Sequence, residues 1–211
     1  MIKLLVTIAL LNLVAAMTPG PDFALITRNT VQYSRRAGIL TALGISTAVL
    51  IHITYCSLGL ALVITQSTLL FNLIKLIGGS YLVYMGISAL RNIKNKNNKL
   101  IPNELKKSQH TINNWQAFRQ GFLTNLLNPK AAIFFLALFT MVVDTGLHLF
   151  TLALAITLFL TVFAWFSCLT LILSHPKVAR ALQRSQNIII KAMGIFLILF
   201  GIALFFAKIS H

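Results

Sequence analysis

The sequence predicts an all-α, polytopic membrane protein, and three observations lead there. Apolar residues make up 57% of the 211-residue chain and charged residues only 10%, whereas a soluble domain carries about a quarter charged residues. The apolar residues gather in runs that approach or exceed the roughly 20 residues a helix needs to cross a hydrocarbon core of about 30 Å. Alternating segments of about ten residues, the mark of a membrane β-barrel, are absent, so helices that satisfy their own backbone are the remaining way to span.

Six segments follow in order: 2–33 with an interruption, 38–64, 68–90, 117–142, 147–173 and 188–207. The first begins with Lys3 and an apolar run, as a signal peptide would, but Ala15-Ala16-Met17 is a poor cleavage site and Thr18-Pro19-Gly20-Pro21 follows at once. We read it as retained. Its two pieces, about 16 and 12 residues, sum to roughly 42 Å at about 1.5 Å per residue, and neither piece crosses alone. The second and third segments are uninterrupted. The fourth contains Asn128-Pro129-Lys130, and the fifth and sixth are again continuous.

The net charge of +15 would suggest nucleic acid if it lay along one solvated face. Its distribution argues otherwise, because 14 of the 18 Lys and Arg fall in three stretches: Arg28 with Arg35 and Arg36, Arg91 to Arg119, and Lys177 to Lys191. These are read as loops after the first, third and fifth spans, all on one side. The connections near Gln66 and Asp144 hold no basic residue, so the positive-inside rule puts the three basic loops in the cytoplasm and both termini outside. A nucleic-acid partner is not expected; the lipid bilayer is.

The stretch 91–116 is rich in Lys and Asn and too polar to build a core. It divides the chain into a first three-helix repeat, 1–90, and a second, 117–211. The third and sixth spans match best: Gly79 and Gly86 are followed seven residues apart in the same way as Gly194 and Gly201, with Lys75 and Lys191 upstream. Small residues at this spacing share a helix face and allow close approach. The first span of each half is also broken by proline beside a charge. With an odd number of spans per half, the repeats are expected to be inverted.

Proline removes a backbone donor and clashes with the preceding turn. The breaks at Pro19, Gly20 and Pro21 and at Pro129 should therefore free backbone groups inside the membrane. Glu104 and Asp144 fall in loops, which leaves Asp22 as the one acid read within the bilayer, and an ionisable group there is a functional candidate by default. Lys130 is its counterpart at the second break. Asp22 and Lys130 either pair and lock the bundle or face a shared cavity, where they suit the ammonium and carboxylate of an amino acid, with Asp22 also placed to carry a coupling proton. Asn12, Asn125 and Asn128 flank the breaks, to line a path or to satisfy the freed backbone. Arg28 lies six residues beyond Asp22, about 9 Å along a helix, to reach the surface or to gate the site. His52, Tyr55 and Trp165 are isolated, and a lone histidine in a helix reads as hydrogen-bonded structure rather than a ligand.

No catalytic residues or cofactor are called: the sequence has no HExxH, paired-Cys, Walker or GxSxG motif, and no metal-ligand spacing. A rival reading is a membrane thiol and disulfide electron carrier, since Cys56 and Cys168 fall one in each half. They form no CxxC and adjoin no proline break. Assembly into a homo-oligomer is left open.

TPGPDF at Thr18–Phe23, NPKAAIFF at Asn128–Phe135 and the Gly79–Leu90 stretch together resemble the LysE/RhtB family of amino-acid exporters, over essentially the whole chain. The resemblance implies a six-helix secondary transporter of the bacterial inner membrane that moves amino acids or their derivatives outward, driven by protons. It carries the family motifs onto Asp22, Asn128, Pro129 and Lys130.

Overall fold

The structure is a computed structural model and describes residues 2–66, 68–92, 111–140 and 148–206. Residues 93–110 of the expected linker, with Glu104, and the Asp144 connection lie outside them. Eight α-helices and no strand occur among the described residues: α1 Ile2–Met17, α2 Pro21–Arg28, α3 Arg35–Gln66, α4 Thr68–Asn92, α5 Asn114–Leu126, α6 Pro129–Phe139, α7 His148–Leu173 and α8 Pro176–Phe206. A π-helical stretch, Asn29–Tyr33, continues α2.

Both proline sites break their helices. The axis of Ile2–Met17 turns by 63° into Pro21–Tyr33, and Asn114–Leu126 turns by 58° into Pro129–Phe139. α3, α4 and α7 each contain a stretch long and apolar enough to cross a membrane, and each bent pair has the length and composition of one further span. In α8 the apolar part is shorter, Asn187–Ala203.

The reading of the basic stretches as loops is corrected: Arg28 closes α2, Arg35 and Arg36 open α3, and Arg91 and Arg119 lie in α4 and α5. The basic stretch Lys177 to Lys191 is not a loop, because α8 starts at Pro176 and runs through it unbroken. Proline at a first helical position forfeits a donor that would be unpaired anyway and presets the backbone angle. The connection from α7 is only Ser174 and His175.

α7 shows what the apolar helices do. Leu154, Leu158 and Val162 are buried, while Leu152, Ile156 and Leu160 on the opposite side are more than half exposed. Large apolar side chains also stand out from α4, among them Leu69, Leu73, Leu76 and Tyr84. A water-facing surface does not carry apolar stripes of this extent. The protein is an all-helical, polytopic membrane protein whose outer face suits lipid.

Glycines set the closest contacts. A side chain at Gly44 would press on the backbone of Phe118 and Phe122, and one at Gly121 on the backbone of Thr41, so α3 and α5 touch main chain to main chain. Gly79 lies against the Gly201 carbonyl and Gly86 against that of Gly194. α4 and α8 therefore cross antiparallel, and the crossing is reciprocal.

Candidate functional site

The two breaks meet inside the bundle and line one cleft. At the first break Thr18 ends α1, its N–H and hydroxyl both donating to the Val14 carbonyl at 3.1 and 2.9 Å. Pro19 and extended Gly20 carry the chain across, and α2 restarts with Pro21 at its first turn and Asp22 beside it. The positive end of a helix favours a carboxylate there. At the second break Pro129 opens α6, and the Asn128 side chain caps it by accepting from the Lys130 N–H at 3.0 Å.

Side chains then tie the breaks to each other. Lys130 Nζ donates to the Thr18 carbonyl at 2.8 Å, supplying a partner that the interrupted first helix cannot. Gly20 gives it room: a Cβ there would stand 3.2 Å from Nζ. Asn125 and Asn128 both donate through Nδ2 to Asp22 Oδ2, at 2.9 and 3.3 Å. Asp22 and Lys130 share the cleft, yet each is bonded to other partners rather than to the other. The reading in which the two charges simply pair does not match this geometry.

Two acceptors are left over. Asp22 Oδ1 and Asn125 Oδ1 are buried and have no hydrogen-bond partner among the described residues. Unpaired buried acceptors cost free energy, and both belong to residues lining the cleft, so a donor-rich group such as an ammonium fits them. The remaining wall is mostly apolar, with Phe23, Val49, Phe134, Val162 and Phe166 among its members.

Of the residues expected at the site, Asn12, Gly20, Asp22, Asn125, Asn128 and Lys130 line the cleft. Pro19, Pro21 and Pro129 are not among its lining; they shape the breaks, and Pro21 and Pro129 are exposed. Asn12 is buried and donates to the Leu158 carbonyl at 3.4 Å. Asn128 thus satisfies backbone at the break by capping α6 and, with Asn125, also grips the Asp22 carboxylate. Asn128→Ala should lower stability by about 1 kcal/mol through the lost cap, read from thermal unfolding of the purified protein in detergent.

Sequence reasoning missed a second polar cluster one to two turns away. Buried Asn29, in the π-helical stretch, donates through Nδ2 to Thr41 Oγ1 at 2.9 Å and to Gln120 Oε1 at 3.1 Å. Arg28 donates to the same Gln120 oxygen at 3.0 Å and to Asn29 Oδ1 at 3.3 Å. Arg28 is exposed, as a side chain reaching the surface would be, and is also engaged with α5. His52 was read as hydrogen-bonded structure and is so: it is fully buried, bonded to Tyr55 and to the Asn125 carbonyl. Cys56 is buried and Cys168 exposed, both are free, and neither lines the cleft. Nothing in their placement supports the thiol reading.

Comparison with known proteins gives one family. The model of the LysE type translocator family matches residues 13–208. The threonine efflux protein of Escherichia coli strain K12 is 33% identical, over 99% of this chain and 100% of that protein. That of Salmonella typhi is 32% identical over the same shares. An uncharacterised membrane protein of Bacillus subtilis strain 168 is 29% identical over 87% of this chain and 90% of its own length. No solved structure matches.

Proposed function

The chain belongs to the LysE type translocator family, and from that premise we propose that it exports an amino acid or a close derivative, as a zwitterion, by exchange for protons. It is a transporter and not an enzyme. The observation that carries the reading is the cleft itself, where one acid and one base from two broken helices stand with two buried acceptors unpaired. An ammonium has three donors to offer Asp22 Oδ1 and Asn125 Oδ1. A carboxylate is complementary to Lys130 and to the start of α6. Asp22 is then also the group on which a proton and the substrate compete, which is the simplest form of exchange.

The same reading places six spans in the bacterial inner membrane, as repeats 1–90 and 117–211 joined by a cytoplasmic linker at 91–116, with basic segments inside and termini outside. Two features support an inverted relation between the halves. Each first span bends at its proline by a similar angle, and the Gly79 with Gly201 and Gly86 with Gly194 contacts are reciprocal, as a two-fold relation requires.

The test is a screen of the proteinogenic amino acids in proteoliposomes carrying the purified chain, with an imposed pH gradient. At least one amino acid should move against its own gradient, and collapsing the pH difference should stop it. Movement of none, in vesicles shown to hold folded protein, would overturn the proposal.

A further inference from the structure

His52 is buried at the point where α3 passes the second break, and the cleft lining does not include it. In a continuous helix the Asn125 carbonyl would accept from the N–H of residue 129, but that residue is proline and has none. The Asn128 N–H bends back to this carbonyl at 3.0 Å, and His52 Nε2 approaches it at 3.1 Å. A carbonyl only accepts, so Nε2 carries the proton. Nδ1 then takes the Tyr55 hydroxyl, and the imidazole ring stacks on Phe135 of α6, with centroids 5.3 Å apart and planes 11° from parallel. One side chain on α3 thus holds both sides of the break.

We propose that His52 is a positioning residue of the cleft: it replaces the donor that Pro129 lacks, fixes Asn125 at the end of α5, and through the Asn125 amide sets the Asp22 carboxylate. The chain of contacts runs Tyr55, His52, Asn125, Asp22, and its last link is the 2.9 Å bond from Asn125 Nδ2 to Asp22 Oδ2. The titratable groups acting on Asp22 are Lys130 from α6 and His52 itself from α3. The peptide carbonyl between His52 and the Asn125 side chain carries no proton, so the role is geometric.

The proposal rests on the reading of Asp22 as the working carboxylate, and its test does not require transport. The reconstituted full chain is treated with dicyclohexylcarbodiimide, which modifies carboxyl groups in apolar surroundings, and the Asp22 peptide is followed by mass spectrometry, with Asp22→Asn as the blank. His52→Leu and Asn125→Ala should each change the labelling rate roughly fivefold, the worth of one hydrogen bond. The double variant should change it no further, because both act through one link. His52→Gln, whose amide reaches the Asn125 carbonyl, should stay near wild type. His52→Asn, which reaches Tyr55 and stops short of Asn125, should behave as Leu does and serves if the Leu variant fails to fold. Wild-type labelling in His52→Asn, or effects of His52 and Asn125 that multiply, would overturn the role. A wild-type chain that labels as described but moves none of the amino acids defeats the export reading alone.

Discussion

Asp22→Asn should cut export severely while leaving the protein inserted and folded. Asparagine keeps the volume and one acceptor, so Asn125 and Asn128 retain a partner for their amide donors and the meeting of the two breaks survives. What is lost is the charge opposite Lys130 and the atom that binds a proton. Asp22 is the one acidic residue among those described, so no neighbour takes over. We expect initial export rates in proteoliposomes to fall about a hundredfold, equivalent to about 3 kcal/mol for a charge-assisted contact. Near-normal export by a variant with native thermal unfolding would remove Asp22 from the mechanism.

Gly121→Val should have the largest effect on folding. The nearest atoms that its Cβ would meet are all backbone atoms of Thr41, and backbone in the middle of a helix has no rotamer to change. α5 must then move off α3. That movement strains the Thr41 hydroxyl bond to the Ala117 carbonyl, 3.2 Å, and the Asn29 bond to the Gln120 side chain, 3.1 Å. Overpacking commonly costs about 1 to 3 kcal/mol, and here it adds to broken buried hydrogen bonds. Thermal unfolding in detergent should show a loss of about 3 kcal/mol or more. A Val variant as stable as wild type would mean that the two helices do not touch as described.

The parts of this protein that one helix decides alone were legible in its sequence. Long apolar runs gave the segments, and prolines at 19, 21 and 129 gave the two breaks, because a missing N–H acts on its own helix. Asn128 before Pro129 is a local capping signal, and the glycine spacing in α4 and α8 announced a close contact. Lys130 holding the Thr18 carbonyl was not legible, nor was Asn29 joining Thr41 and Gln120, since those partners are 112, 12 and 91 residues apart. Sequence spacing says nothing about which helices become neighbours. His52 looked isolated for the same reason: the vacancy it fills is created by a proline on another helix. The basic stretch at 177–191 misled because charge identifies the end of a membrane span but does not end a helix, and α8 simply continues into the basic segment.

The reciprocal glycine crossing of α4 with α8 also limits how the bundle rearranges. Its two main-chain contacts are seven residues apart on each helix, about 10 Å along the axis. Two fixed points define a line, and turning about that line is the one relative motion that keeps both. Sliding would put a bulkier neighbour where glycine now sits, and prying apart would open both contacts to no gain. Any rearrangement that keeps both contacts therefore leaves α4 and α8 joined as a hinge along this seam.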